Sequence, residues 1–133
     1  MSDRVLYLDS SALVKLVVDE PQSVALTQEL TDEPTVVSSA LARVEVPRAI
    51  RIQTRGDADA EARARELVDS CRLVELRDPV LDDAAALASA DLRTLDAIHL
   101  ASALQVAPAA MVTYDRRLAE AAMAARLPVL APA

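Results

Sequence analysis

The chain of 133 residues has little glycine, almost no aromatic side chains and one cysteine. Because Gly56 is the only glycine, a glycine-rich phosphate loop of the P-loop or dinucleotide type is excluded. Cys71 has no second cysteine for a disulfide or a structural zinc site, which fits a reducing compartment. Aromatic residues make up 2% of the chain, so we expect a core of Ala, Val and Leu.

Long apolar runs are also missing. No stretch approaches the roughly 18 apolar residues needed to span a bilayer, and the amino terminus has no basic region followed by an apolar run. We therefore expect a soluble, cytoplasmic protein that does not associate with membranes. The length fits a single domain over residues 1–133.

The net charge is −7, from 21 acidic and 14 basic residues. This balance argues against tight nucleic-acid binding over the whole surface, which normally needs a basic field. Arg48, Arg51 and Arg55 nevertheless lie at helical spacing and can form a local stripe that holds phosphates. The alternative interpretation of this stripe is an ordinary solvated helix face.

Strand patterns alternate with helical patterns along the chain. We predict strands at 5–8, 34–39, 72–77, 109–115 and 127–131. Helical patterns occupy residues 10–20, 20–30, 40–53, 57–71, 79–90, 94–105 and 116–125, with a bend at Pro47. This alternation is typical of an α/β fold with a parallel sheet covered on both faces.

Carboxylates occur at the places where such a sheet usually carries its site. Asp9 ends the first strand and Asp115 follows the strand around Val112, each at a strand-to-helix junction. Glu45 lies in the helix after the second strand, and Asp96 lies in the first turn of an apolar helix. Four carboxylates in one pocket repel one another, and a hard divalent cation such as Mg²⁺ or Mn²⁺ relieves that repulsion.

Each acid also has an ordinary structural interpretation. Asp9 and Asp115 are suitable helix N-caps, a role that is compatible with binding a metal. Glu45 fits a solvated helical carboxylate, and Asp96 in a first turn interacts favourably with the helix dipole.

Four polar residues accompany the acids. His99 lies one helical turn after Asp96, and a lone histidine is more often structural, so we expect it to form hydrogen bonds near the site without binding metal. We interpret Ser10, Ser38 and Thr113 as helix caps or as hydrogen-bond donors to the acids.

These motifs, taken in order, resemble a known family. "LYLDSSALVKL", a glutamate in the second helical block, "LDAIHLASA" and "VTYDRRLAEAA" resemble the PIN domain family, and within it the VapC-type toxins of bacterial toxin–antitoxin pairs. The four acids are separated by 36, 51 and 19 residues, and the similarity spans nearly the whole chain. The chain departs from the family pattern at Pro47, two residues after Glu45, and this proline affects the direction in which the Glu45 side chain points.

The resemblance implies a three-layer α/β/α sandwich with a central parallel sheet and Mg²⁺- or Mn²⁺-dependent cleavage of RNA. It assigns the catalytic acidic site to Asp9, Glu45, Asp96 and Asp115. Asp9 and Asp96 match the surest metal ligands, Glu45 completes the cluster, and Asp115 helps to place a metal or its water. It further implies a homodimer and a cognate antitoxin whose tail covers the acidic cleft.

Three other hypotheses fit an acidic pocket. A receiver-like module that binds Mg²⁺ without cleavage needs a lysine near the end of a late strand, but Lys15 is the only lysine. An aspartate-nucleophile phosphatase needs two aspartates separated by one residue, whereas Ser10 and Ser11 follow Asp9. An inactive, antitoxin-binding member of the family would bind metal without cutting RNA.

Overall fold

A computed structural model describes residues 2–133. Its strands are β1 (Val5–Leu8), β2 (Thr35–Ser39), β3 (Arg72–Val74), β4 (Ala110–Val112) and β5 (Val129–Leu130). They form one five-stranded sheet in the order β3-β2-β1-β4-β5, and every neighbouring pair is parallel. The predicted parallel sheet is therefore confirmed.

Helices connect the strands. Within residues 2–133 they are α1 (Ser10–Val14), α2 (Ser23–Glu29), α3 (Ala42–Thr54), α4 (Ala58–Ser70), α5 (Asp78–Ala86), α6 (Thr94–Val106) and α7 (Arg116–Ala124). None of these helices has both the length and the apolar character that crossing a membrane requires.

The core lies in two layers because successive side chains of a strand point to opposite faces of the sheet. From β1, Leu6 and Leu8 pack into a cluster that includes Val46 of α3 and residues of α1 and α4. Tyr7 points to the other face and packs into the cluster of α6 and α7, with Leu100. The sheet is thus covered on both sides, and the predicted α/β/α sandwich is confirmed.

Several elements are shorter than the sequence pattern predicts. The strand expected over 72–77 ends at Val74, because this edge strand pairs only with β2, and Arg77 already begins α5 as its N-cap. The strand expected to reach Asp115 ends at Val112, since the next three residues turn to cap α7. Helix α5 ends at Ala86, where Leu87 takes an extended conformation.

The strand order places a switch point between β1 and β4. The chain moves from β1 to β2 and β3 on one side, then returns to add β4 on the other side of β1. Parallel strands all present their carboxyl ends at one edge, and ligands bind in the crevice at such a switch point. The residues that follow β1 and β4 are therefore neighbours at this edge.

Candidate functional site

Asp9 lies at the switch point and is 4% exposed. As N-cap of α1, its Oδ1 accepts hydrogen bonds from the Ala12 amide at 2.9 Å and the Ser11 hydroxyl at 2.7 Å. Its Oδ2 accepts from Thr113 Oγ1 at 2.6 Å. Burial raises the pKa of the Asp9 carboxyl, and the hydrogen bonds from Thr113, Ala12 and Ser11 only partly oppose this rise. A nearby cation would favour its ionised form.

Asp115 follows β4 and caps α7. Its Oδ1 accepts a hydrogen bond from the Leu118 amide at 3.1 Å, and its own amide donates to Thr113 Oγ1 at 3.1 Å. Thr113 therefore joins the two acids on either side of the switch point, since its hydroxyl donates to Asp9 and accepts from the Asp115 amide. The N-cap interpretation of Asp9 and Asp115 is also confirmed, and each side chain stays at the edge of the sheet where the acids were expected.

Glu45 lies in the first turn of α3, which runs without a break through Pro47. Its Oε1 accepts hydrogen bonds from the Ser10 hydroxyl at 2.8 Å and from His99 Nε2 at 2.7 Å. Burial acts to raise the pKa of Glu45, but the hydrogen bonds from His99 and Ser10 outweigh it and leave this pKa below its usual value. Glu45 is therefore a fixed, ionised carboxylate, and a freely solvated glutamate is not what the structure shows.

Asp96 lies in the first turn of α6 and is half-buried. Burial raises the pKa of this carboxyl, and the negative charges of Asp115, Asp9 and Glu45 raise it further, while His99 lowers it. Asp96 therefore lies within electrostatic reach of the other three acids. Asp96 thus carries the mutual repulsion expected of an acidic pocket.

His99 lies behind the acids in α6, 3% exposed. Its Nδ1 forms a hydrogen bond of 2.8 Å with the Tyr7 hydroxyl, and its Nε2 also lies 3.3 Å from Ser10 Oγ. Tyr7 was not foreseen as part of the site, because a tyrosine in an apolar strand is typical of a core residue. The available signal was its hydroxyl, which needs a hydrogen-bond partner when buried.

Ser38 caps no helix and donates to none of the four acids in the structure. Its hydroxyl is buried and is the one side-chain polar atom among the buried groups of residues 2–133 without a hydrogen-bond partner. It lies inside β2, three residues before Leu41, the N-cap of α3. Its neighbour Ser39 has a partner, because Ser39 Oγ accepts a hydrogen bond from the Leu41 amide at 3.1 Å in the turn before α3.

The arginine stripe lies on the exposed surface of α3, beyond Glu45. Arg51 pairs with Glu61 at 3.4 Å, and Arg55 forms the C-cap in a left-handed conformation. At 1.5 Å per residue, Arg55 lies about 15 Å along the helix from Glu45. Of the stripe, only Arg48 lies one turn from a site residue.

The donor set fits a hard divalent cation. All four acids offer carboxylate oxygens, the ligands that Mg²⁺ and Mn²⁺ prefer. In residues 2–133 no three His, Cys, Asp or Glu side chains are arranged as a ready metal cage. Mg²⁺ does not need one, since it usually keeps several waters and binds through one or two carboxylates. The pKa of Asp96 is raised by the charges of three other acids, and a bound cation would offset this repulsion.

Known proteins resemble this chain in sequence. The chain is 46% identical over 129 residues to "Ribonuclease VapC46" of Mycobacterium tuberculosis, covering 96% of this chain and 97% of that protein. It is 42% identical over 134 residues to "Ribonuclease VapC35" of the same species, covering 96% and 97%.

Solved structures share the fold. The crystal structure of Mycobacterium tuberculosis VapC20, described as a sarcin–ricin loop cleaving toxin, matches with a TM-score of 0.73 at 14% identity, covering 87% of this chain and 94% of that one. A toxin–antitoxin complex from Klebsiella pneumoniae matches with a TM-score of 0.72 at 20% identity, covering 96% and 98%. The PIN domain family model matches residues 6–123. The chain therefore belongs to the PIN domain family.

Proposed function

We propose that this protein is a metal-dependent endoribonuclease of the VapC type, which hydrolyses phosphodiester bonds in RNA. The observation that carries the proposal is the electrostatic reach of Asp9, Glu45 and Asp115 on Asp96, in a chain 46% identical to a protein named ribonuclease. Neither feature alone is sufficient, since acidic clusters also occur in binding modules.

The four acids take different parts in this proposal. Asp9 and Asp96 hold the cation, Asp9 from a buried N-cap and Asp96 from the first turn of α6. Glu45 completes the cluster, and Asp115 helps to place the cation or its water. When bound, Mg²⁺ or Mn²⁺ supplies a nucleophilic water and stabilises the oxygens of an in-line displacement.

The surrounding residues keep these carboxylates in place. Thr113 and the Ala12 amide fix the two oxygens of Asp9, so its side chain does not need to reorganise when a substrate arrives. Ser10 and His99 do the same for Glu45. Arg48 is the arginine of the stripe best placed to contact an RNA phosphate.

A receiver-like binding module is less well supported. The only lysine, Lys15, lies over the Tyr114 ring at 4.8 Å and pairs with Glu20 at 3.5 Å, rather than being free to meet a phosphoryl group. The strong identity to proteins named ribonuclease also favours cleavage over binding alone.

The family assignment supports three further proposals about partners and location. We propose that a cognate antitoxin inhibits the enzyme by covering the acidic cleft, that the toxin is a homodimer, and that it acts on RNA in the cytoplasm. Co-purification of the chain with a co-expressed candidate antitoxin tests the first point, and the molar mass of the chain by light scattering tests the second.

RNA cleavage tests the function itself. The purified protein is incubated with RNA in Mg²⁺, in Mn²⁺ and in EDTA, next to the Asp9→Asn and Asp96→Asn variants. We expect cleavage with either metal, none in EDTA, and rates at least about 100-fold lower in both variants, because each loses a charged ligand. Equal rates for the variants and the parent would contradict the proposal.

A further inference from the structure

A chain of hydrogen bonds leads from the core of the protein to one acid of the site. The Tyr7 hydroxyl lies 2.8 Å from His99 Nδ1, and His99 Nε2 lies 2.7 Å from Glu45 Oε1. The Tyr7 ring meets the imidazole edge-on, with the ring centroids 5.9 Å apart. Tyr7 is fully buried in β1 and cannot touch a substrate or a bound ion.

The chemistry of the groups fixes the direction of one of these bonds. An ionised carboxylate only accepts hydrogen bonds, so His99 Nε2 must carry the proton that is shared with Glu45. Tyr7 holds the other ring nitrogen, which stops the imidazole from turning about its bond to the backbone. The ring of His99 is thus held at both nitrogens, in one orientation.

The two oxygens of Glu45 are used differently. Both hydrogen bonds to this side chain in residues 2–133, from Ser10 and from His99, go to Oε1. Oε2 therefore keeps its full capacity to accept hydrogen bonds, and the Glu45 side chain is 27% exposed. Two donors on one oxygen orient the whole carboxyl plane and leave the second oxygen for another partner.

Burying this network has a cost that a purely apolar core would avoid. A phenylalanine at position 7 and a leucine at position 99 would fill similar volume without any polar group to satisfy. The network ends on one of the four acids, at the edge of the sheet where they meet. This placement favours a role in the site over a role in the core.

We propose that Tyr7 and His99 are positioning residues, which hold the Glu45 carboxylate so that its Oε2 is available to a divalent cation or to a water bound by it. This inference rests on the proposed function, because it takes Glu45 to be part of the metal site. It extends the site by Tyr7, which is 38 residues from Glu45 and 92 from His99 in the sequence.

Four variants test the proposal. Tyr7→Phe removes only the hydroxyl. His99→Leu removes both ring nitrogens, while His99→Gln restores an N–H donor near the position of Nε2. Tyr114→Phe is the matched control, because it removes the hydroxyl of the only other tyrosine, whose hydrogen bond goes to the Pro132 carbonyl at 2.8 Å.

The first readout is the affinity for Mn²⁺ in the absence of RNA, measured from the electron paramagnetic resonance signal of free Mn²⁺. Circular dichroism checks that each variant is folded. We expect His99→Leu to weaken Mn²⁺ binding by about 10–100-fold, the usual loss when a group that orients a metal ligand is removed. Tyr7→Phe and His99→Gln should show smaller losses, and Tyr114→Phe should match the parent. In RNA cleavage, kcat should follow the same order while KM stays within about twofold, since none of these residues holds RNA.

Several outcomes would overturn the inference. One is a folded His99→Leu or Tyr7→Phe variant that binds Mn²⁺ as tightly as the parent. Another is a His99→Gln variant whose Mn²⁺ affinity is no higher than that of His99→Leu. The third is a parent protein that binds no Mn²⁺. If Tyr7→Phe does not fold, the two His99 variants decide. A parent that binds Mn²⁺ but cuts no RNA would refute the proposed function, while the order of Mn²⁺ affinities would still decide the inference.

Discussion

Thr113 and Asp9 are joined across the switch point of the sheet by a hydrogen bond of 2.6 Å, from Thr113 Oγ1 to Asp9 Oδ2. The two residues are 104 positions apart in the sequence and follow neighbouring strands. Both are almost completely buried. This bond therefore fastens the end of β4 to the most buried acid of the site.

Replacing Thr113 with valine should leave the Asp9 carboxylate short of one donor. Because hydrogen bonds to charged groups contribute more than neutral ones, we expect a loss of about 1.5–3 kcal/mol in the free energy of unfolding. Thr113→Ser keeps the hydroxyl and should lose clearly less. Urea unfolding of the two variants measures the difference, and equal losses would show that the hydroxyl is not what matters.

Asp115 has two roles that a pair of variants can separate. Asp115→Ala removes both the N-cap and the charge, and should cost about 1 kcal/mol of stability together with activity. Asp115→Ser keeps a capping oxygen without the charge, so it should be nearly as stable as the parent but still cut RNA more slowly. Thermal unfolding and cleavage rates give the two readouts. An Asp115→Ser variant with full activity would show that Asp115 acts only as a helix cap and has no role in cleavage.

The repulsion at Asp96 predicts a stability that depends on pH. Its pKa is raised in the folded protein by burial and by the charges of Asp115, Asp9 and Glu45. The protonated form is thus favoured by folding, so its contribution to stability is present below the ordinary pKa of 3.8 and is lost as the pH rises through the folded pKa.

Asp96→Asn cannot ionise and should therefore avoid this loss. Without metal, we expect the variant to have a higher Tm than the parent at neutral pH, and the gap to close as the pH approaches 3.8. Thermal unfolding in EDTA across this pH range measures it. A gap that is independent of pH, or a parent that is more stable at neutral pH, would contradict the assigned cause.

The arginine stripe should not act as a unit. Arg48 lies one helical turn beyond Glu45, whereas Arg55 ends the same helix far from the acids. Arg48→Ala should raise the KM for RNA severalfold and lower the slope of log KM against log salt concentration by about 1, the value for one phosphate contact. Arg55→Ala should leave both unchanged. Equal effects of the two changes would place RNA along the whole helix.

The sequence predicted the fold well because its signals are local and repeated. Apolar strands alternate with helical patterns, and the acids at the ends of β1 and β4 mark the switch point. Strand lengths were overestimated, since an apolar residue such as Leu76 fits a strand pattern whether or not a neighbouring strand is there to pair with it.

The interactions within the site were harder to foresee. Ser38 and Ser39 look equivalent in sequence, yet only the Ser39 hydroxyl hydrogen-bonds to a backbone amide, because neighbouring residues of a strand point in opposite directions. The contact of Tyr7 with His99 joins residues 92 positions apart, and only the packing of α6 against the sheet brings them together. No local pattern encodes such a meeting.

The position of a bound ion tests the central claim most directly, namely that acids distant in sequence share one cation at the switch point. Crystals of the protein soaked in Mn²⁺ should show an anomalous peak about 2.0–2.3 Å from carboxylate oxygens of Asp9 and Asp96. An Mn²⁺ ion bound only elsewhere on the protein, with Asp9 and Asp96 too far apart to contact one ion, would contradict the account.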